Sequence, residues 1–509
     1  MKILVAWPWT WKTTKIKTML KERWWWTDFL ILSFTNATVS DLIDSLKDVW
    51  VSEKSCMTLH KFAMKYNHDQ SRHVLIPEES KLLQKISKKL ELDFDTFTDL
   101  LSATTFGQMI SRFVEFAKVN PEYLKEKLSS FNWLIIDEYQ DFNKEEQALI
   151  EQLTEYIDDV YILWDDDQCI YNFKNATWDK IIELHKNKQI ENLQHEHICY
   201  RCPDKIVDAA SNLIWKNTNR VDKEWHKSDK EWDLYYSQIS DLETLSDNIS
   251  DLIQDHYYDK DVLILSPTQF ITEWLCNSLE EKWIIFSNYR NTKIPKELLE
   301  KVWLIRWFFS EYKYLNLVLS SYKLLSNRKK FYSTISNHYN EWINEEQIIK
   351  LIVNKIPESL KSETLNFNEV IADEYFNEIS DLYNDAKWDD ELEKLSNIFE
   401  SVWKVDDSSI RVMSIHKSKW LWADYVFILW LTEWILPREK SSNQSIEDQR
   451  RLLFVWMTRA KKELHLYSVL SIEWRFANIV NKDAYIYSPR KKLWNWKAST
   501  FISELELDE

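Results

Sequence analysis

The chain has 509 residues, 29% of them charged and 45% hydrophobic, a formal net charge of −17, and 28 Trp against a single Gly. That length holds two to four domains with full cores, the composition excludes a disordered chain, and the acidic balance argues against one large basic groove while allowing local basic patches. Five Cys, an odd number, make no disulfide framework, and no run of 18 apolar residues is present to span a membrane, so a reducing cytoplasm is the expected setting.

The predicted elements follow a repeating plan. Short apolar runs end in polar residues: "KILVA", "FLILSFTN", "WLIIDE" and "VYILWDDD" before residue 166, then "DVLILSP", "IRVMSIH", "DYVFILWL" and "ELHLYSV" after residue 260. Continuous apolar runs separated by helical patterns read as buried parallel strands, so the expected fold class is α/β, and the first run reads as a buried strand and not a signal peptide. The two groups of strands predict two α/β domains, 1–63 with 129–194 and 195–290 with 404–490. Lysine-rich and mixed helical stretches at 64–128 and 291–403 are inserts, and 491–509 reads as an acidic, frayed end.

The stretch "VAWPWTWKTT" follows the first strand and opens a helical pattern. Its outline is that of a phosphate-binding loop, but Trp7, Trp9 and Trp11 stand where such a loop needs glycine. An ordinary protein has Gly at roughly 7%, and no chain of this length avoids the left-handed turns and close backbone approaches that glycine serves. Tryptophans also fill other glycine-like places: "RWWWT" lies in the gap before a strand, and "LWDDDQ" has one at a strand end. These tryptophans therefore read as UGA codons that some bacterial lineages decode as glycine. The stretch then becomes "VAGPGTGKTT", which satisfies GxxxxGK[ST]. The candidate ATP site is Ala6, Trp7, Pro8, Trp9, Thr10, Trp11, Lys12, Thr13 and Thr14. Bare backbone N–H groups approach phosphate oxygens, Lys12 neutralises the β- and γ-phosphates, and the Thr13 hydroxyl binds Mg²⁺. The strand "LIIDEYQD" supplies the partner carboxylates: Asp137 for Mg²⁺ and Glu138 as the general base that polarises the attacking water. Cys199 and Cys202 form a lone CxxC pair in "CYRC", weak evidence for zinc.

With these residues in place the chain resembles the UvrD/Rep-like helicases of superfamily 1. "DEYQD" is that family's acidic motif, and further signatures occur in order. The resemblance implies that Phe34 and Thr35 of "SFTNA" and His60 of "TLHKFA" touch single-stranded DNA, and that His416 of "SIHKSKWLWADYVFI" belongs to a later DNA motif. In "WDDDQCIYNF" it implies that Gln168 senses the γ-phosphate and that Tyr171 and Phe173 serve the DNA path, Phe173 by stacking on a base. In "YRC" it implies Tyr200 against adenine and Arg201 on the γ-phosphate, and in "RRLLFVWMTRAKKEL" a second arginine finger, Arg459. Trp164, Trp420 and Trp456 fall where this family has glycine. The implied fold is two RecA-like P-loop domains, each with a helical insert. The implied activity is an ATP- and Mg²⁺-dependent helicase or translocase moving 3′ to 5′ on single-stranded or partly duplex DNA, with no membrane partner.

The chain departs from the family in three ways. The adenine-reading glutamine segment upstream of the loop is not seen, the ribose-contacting Glu of the fifth motif is replaced at Trp422, and both inserts are shorter than in the large members. Two other classes stay open from the residues alone: a P-loop NTPase acting on a small molecule, and a DNA-binding scaffold without ATPase activity if the tryptophans are genuine. Phe34, Tyr171 and Phe173 also read as core aromatics at strand ends, His60 and His416 as satisfied polar residues, and Arg201 and Arg459 as salt-bridge partners.

Overall fold

The computed structural model describes residues 2–5, 12–22, 29–49, 51, 54–69, 71–75, 77–90, 93–171, 176, 179–187, 191–192, 198–223, 226–227, 229–267, 269–288, 409–414, 418–419, 421–433, 435–437, 443–473, 486–488, 493–495 and 497–507. The expected loop residues 6–11, the side chains of Lys12, Thr13 and Thr14, Phe173, His416, Trp420 and the expected insert at 291–403 lie outside the described residues.

In chain order the first half carries β1 (Lys2–Val5), α1 (Lys12–Glu22), β2 (Phe29–Ser33), α2 (Asn36–Ser45), β3 (Cys56–Thr58) and α3 (Leu59–Tyr66). Then come β4 (His73–Val74), α4 (Pro77–Leu90), α5 (Phe94–Leu100), β5 (Ala103–Thr104), α6 (Phe106–Val119) and α7 (Pro121–Leu128). The half closes with β6 (Trp133–Ile136), α8 (Lys144–Thr154), β7 (Asp159–Trp164), α9 (Asp179–Lys186) and β8 (Glu191–Asn192). The second half carries α10 (Asp204–Ile214), β9 (Leu234–Ile239), α11 (Leu242–Leu252), β10 (Val262–Ser266), α12 (Gln269–Glu281) and β11 (Ser287–Asn288). After residue 408 follow β12 (Ile410–Ser414), β13 (Ala423–Ile428), α13 (Asn443–Met457), β14 (Ala460–Val469), β15 (Ser471–Glu473), β16 (Ile486–Ser488), β17 (Leu493–Asn495) and α14 (Thr500–Glu504).

Two six-stranded sheets organise these elements, in the orders β3-β2-β6-β7-β1-β8 and β11-β12-β10-β13-β14-β9. Every pairing within them is parallel. The apolar runs explain this: Leu30, Ile31 and Leu32 of β2 and Leu134, Ile135 and Ile136 of β6 are fully buried, as strands covered on both faces must be. The α/β class is the one expected, with a small antiparallel sheet β15-β17-β16 beside it. Both large sheets belong to one compact unit, and a second unit is built on Ala63–Val119. In that second unit β4 pairs with β5, and Arg72 ties Asp69 to Asp99 at 2.6 Å each.

Register brings the strand ends of the first sheet together. Val5, the last residue of β1, lies opposite Trp164, the last of β7, and Ile136 at the end of β6 lies opposite Ile162. The chain therefore leaves β1, β6 and β7 along one carboxyl edge, where open parallel sheets bind ligands. The C-terminal residues differ from the expected frayed end. Ser499 caps α14, and Phe501 and Leu505 are buried in the core of the second half, because an apolar pair four apart lets the short helix dock.

Several tryptophans fit their places poorly. Trp283 has φ 59° and Trp430 φ 65°, a left-handed backbone that L side chains seldom adopt. Trp283 follows α12, where its N–H bonds to Glu280 O at 3.0 Å and the Ile284 N–H bonds to Leu279 O at 3.0 Å. That pair of bonds is the Schellman helix end, whose left-handed position is usually glycine, and here an indole 92% exposed occupies it. Trp164 and Trp456 are fully buried, and their indole N–H groups have no hydrogen-bond partner.

Candidate active site

Asp137 and Glu138 leave β6 at the carboxyl edge, both 7% exposed. The Asp137 N–H bonds to Leu32 O at 2.9 Å, which keeps the turn against β2. Glu138 has φ 55° and ψ 44°, a conformation costly for a long side chain and concentrated at functional sites. Gln140 links the acidic turn to the next strand end: its Nε2 donates to Glu138 Oε2, and its Oε1 accepts from the Asp165 N–H at 3.0 Å. Gln168 lies at the end of the short turn after Asp165, and its Nε2 donates to Asp165 Oδ2 at 2.7 Å.

The second half supplies cations to this edge. Arg459, fully buried after α13, donates from Nη2 to Gln168 Oε1 at 3.4 Å and from Nε to Val455 O at 2.7 Å. Lys419 is fully buried too. Its Nζ donates to both Asp141 oxygens, at 2.5 and 2.6 Å, and to Gln168 O at 2.9 Å. Burial presses Arg459 down to about 10. Burial and then the Arg459 charge press Arg201 down to about 9. Both guanidiniums stay protonated at neutral pH, and their mutual repulsion is what a polyanion brought between the halves would relieve. The Arg201 guanidinium stacks 4.4 Å above the Trp422 ring, and Tyr200 beside it is exposed. The donor set suits a magnesium nucleotide: hard carboxylates at a strand end, with buried cations converging from the other side.

The remaining expected residues sort differently. Phe34 is half-buried, edge-on to Phe142 with centroids 5.5 Å apart and tilted on Tyr171 at 5.4 Å. Tyr171 is 6% exposed within the core shared with the second half, under the Lys419 ammonium at 5.0 Å. It thus takes the position of a core aromatic. Thr35 caps α2 in a reciprocal box with Thr38. His60 lies 3.3 Å from Glu146 and is half-buried. Cys199 and Cys202 are both buried, and Cys202 Sγ donates to Thr458 O at 3.5 Å. Among the described residues the only group of three metal-type ligands is Asp165, Asp166 and Asp167.

Sequence reasoning passed over Gln140, Lys419 and the partners of those three aspartates, Arg220, Lys223 and Arg451. "NRVDKEWHKSDK" reads as a solvated charge run, and nothing local marks Lys223 as buried. Gln140, Lys419 and Arg451 do lie inside recognised motifs, which is the one signal that offered them.

Comparison with known proteins places these elements. The UvrD/REP helicase N-terminal domain family matches residues 68–189, and the UvrD-like helicase C-terminal domain family matches residues 311–471. The ATP-dependent DNA helicase Rep of Buchnera aphidicola is 25% identical over 77% of this chain and 72% of its own length. A probable DNA helicase II homologue of Mycoplasma capricolum is 25% identical over 77% of this chain and 60% of its own. The ATP-dependent DNA helicase PcrA of Bacillus subtilis is 24% identical over 75% and 59%. With an acidic strand end, a glutamine turn and a buried arginine from the opposite half meeting between two parallel sheets, the chain belongs to the UvrD/Rep-like helicases.

Proposed function

We propose that the protein is an ATP-dependent DNA helicase or translocase that moves 3′ to 5′ along single-stranded or partly duplex DNA and hydrolyses ATP with Mg²⁺ between two RecA-like domains. The observation that carries this reading is the contact of Arg459 with Gln168, whose amide is held by Asp165. It joins a cation of one half to the turn beside Glu138 of the other, so a γ-phosphate arriving there meets a base, a sensor and a positive charge together. Glu138 takes the proton of the attacking water, Gln168 orients that water, and Arg459 and Arg201 stabilise charge on the transferred phosphoryl group. Thr13 and Asp137 hold Mg²⁺, and Tyr200 stacks on adenine. Phe34 and Phe173 grip bases, each stack contributing about 1–3 kcal/mol whatever the sequence, with His60 and His416 on the same path.

The active protein carries glycine at 7, 9 and 11 and at most other tryptophan positions. Supporting this are the left-handed Trp283 and Trp430 and the buried, unpartnered indole N–H groups of Trp164 and Trp456. The test uses the protein made by reading UGA as glycine. ATP hydrolysis is measured with Mg²⁺, with and without single-stranded DNA, and displacement from 3′- and 5′-tailed duplexes is compared. Stimulation by DNA and displacement from the 3′-tailed duplex only are expected. Equal hydrolysis with and without DNA overturns the helicase reading in favour of a small-molecule NTPase, and UGG codons at 7, 9 and 11 overturn the decoding.

A further inference from the structure

Behind Gln168 lies a buried ion cluster that hydrolysis itself does not use. Asp165, Asp166 and Asp167 are fully buried. Lys223, only 2% exposed in its side chain, reaches all three: 2.9 Å to Asp165 Oδ1, 3.0 Å to Asp167 Oδ2, and a short contact to Asp166 Oδ1. Arg220 forks onto Asp167, with Nε 3.1 Å from Oδ1 and Nη2 2.8 Å from Oδ2. The Val221 N–H donates to Asp166 Oδ2 at 2.7 Å, and Arg451 donates to Asp166 O at 3.1 Å and Asn219 O at 2.5 Å.

Three carboxylates within 4.8 Å of one another could in principle hold a metal ion. Here the Lys223 ammonium takes the place among them that a cation would fill, Arg220 adds a second cation on Asp167, and Arg451, itself paired with Asp448 at 3.2 Å, lies beside them. A buried ionic cluster of this kind seldom adds stability over apolar packing, so its use is sought in geometry. Asp165 divides its two oxygens: Oδ1 accepts from Lys223 at 2.9 Å and from the Asp167 N–H at 3.1 Å, and Oδ2 from the Gln168 amide nitrogen at 2.7 Å. With its nitrogen so held, Gln168 turns its amide oxygen to Arg459.

We propose that Lys223 is a positioning residue for hydrolysis: it fixes Asp165, Asp165 fixes the Gln168 amide, and the chain segment 219–223 thereby registers the second half on the sensor turn of the first. The inference rests on the reading of Gln168 as γ-phosphate sensor. Arg220 and the Val221 N–H anchor the segment to the neighbouring aspartates, so the register is carried by three successive acidic residues and not by one contact.

The test uses the full glycine-decoded chain. Lys223→Met alone leaves a buried carboxylate uncompensated and can unfold the protein, so it is paired with Asp166→Asn, which removes one charge of each sign and spares Asp165. The expected result for K223M/D166N is an unfolding temperature near that of the parent and a KM for ATP within about threefold, with DNA-stimulated kcat lowered about 10–100-fold, the scale of small misplacements remote from the chemistry. Adding Q168A should lower kcat no further, since both changes break one chain of contacts. Hydrogen exchange of the peptide covering 160–171 should speed up in the double variant, a readout independent of ATPase activity. A kcat within about twofold of the parent, or unchanged exchange, overturns the inference and leaves Lys223 a charge-balancing residue. A parent that hydrolyses no ATP while the exchange result holds overturns the functional reading and not the positioning.

Discussion

The two six-stranded sheets share a parallel architecture and carry opposite charge where they face each other. The first sheet delivers Asp137, Glu138, Asp141 and Asp165 to Asp167 at its strand ends, and all are at most 7% exposed. The second half answers with Lys223, Lys419, Arg451 and Arg459, all at most 5% exposed. Like layers thus acquire unlike charge: one gathers carboxylates at its strand ends, the other brings buried cations onto them, with Lys419 on Asp141 and Lys223 on Asp165 to Asp167. Arg201 and Arg459 are the exception to this pairing: each charge opposes the other, and an anion between the two guanidiniums would stabilise both.

The comparison can be broken at its acidic side first. Glu138→Gln keeps the turn but removes the base, and should lower kcat by about 10²–10⁴ while nucleotide binding persists; steady-state hydrolysis and fluorescent-nucleotide titration check both halves of that statement. The cationic side breaks through Lys419→Met, which strands Asp141 without its buried partner. A loss of about 3–5 kcal/mol in unfolding free energy is expected from removing one member of such a pair, read from denaturant unfolding of the unit that holds both sheets. A smaller effect separates the two aromatics beside the acidic turn. Phe34→Ala should weaken binding of single-stranded DNA by about 1–3 kcal/mol, measured by fluorescence anisotropy. Tyr171→Ala should chiefly lower stability, since its ring is packed in the shared core. Equal losses of DNA affinity in the two variants would put Tyr171 on the track as well. The smallest change lies away from the charged edge. Trp283→Gly should stabilise the protein by about 1–2 kcal/mol by relieving a left-handed non-glycine residue, because the exposed indole gives up no packing; a lowered melting temperature would count against glycine as the native residue there.

The sequence by itself determined the α/β class, the strands and Glu138 as a candidate, and its resemblance to a helicase family added Gln168 and Arg459. Apolar runs and ordered motifs are local signals, and a strand end such as "LIIDEYQD" announces its carboxylates without any partner in view. Composition alone raised the glycine question, since 28 Trp and 1 Gly cannot serve an ordinary backbone. Tertiary structure decided the rest. Only packing shows that Lys223 and Lys419 are buried among carboxylates far away in the chain, that Tyr171 is core while Phe34 stays half open, and that "TFISE" docks as a helix instead of fraying. The physical reason is range. Periodicity and motif spacing report on neighbours along the chain, whereas burial of a charge depends on which distant segment folds over it, and no local pattern encodes that.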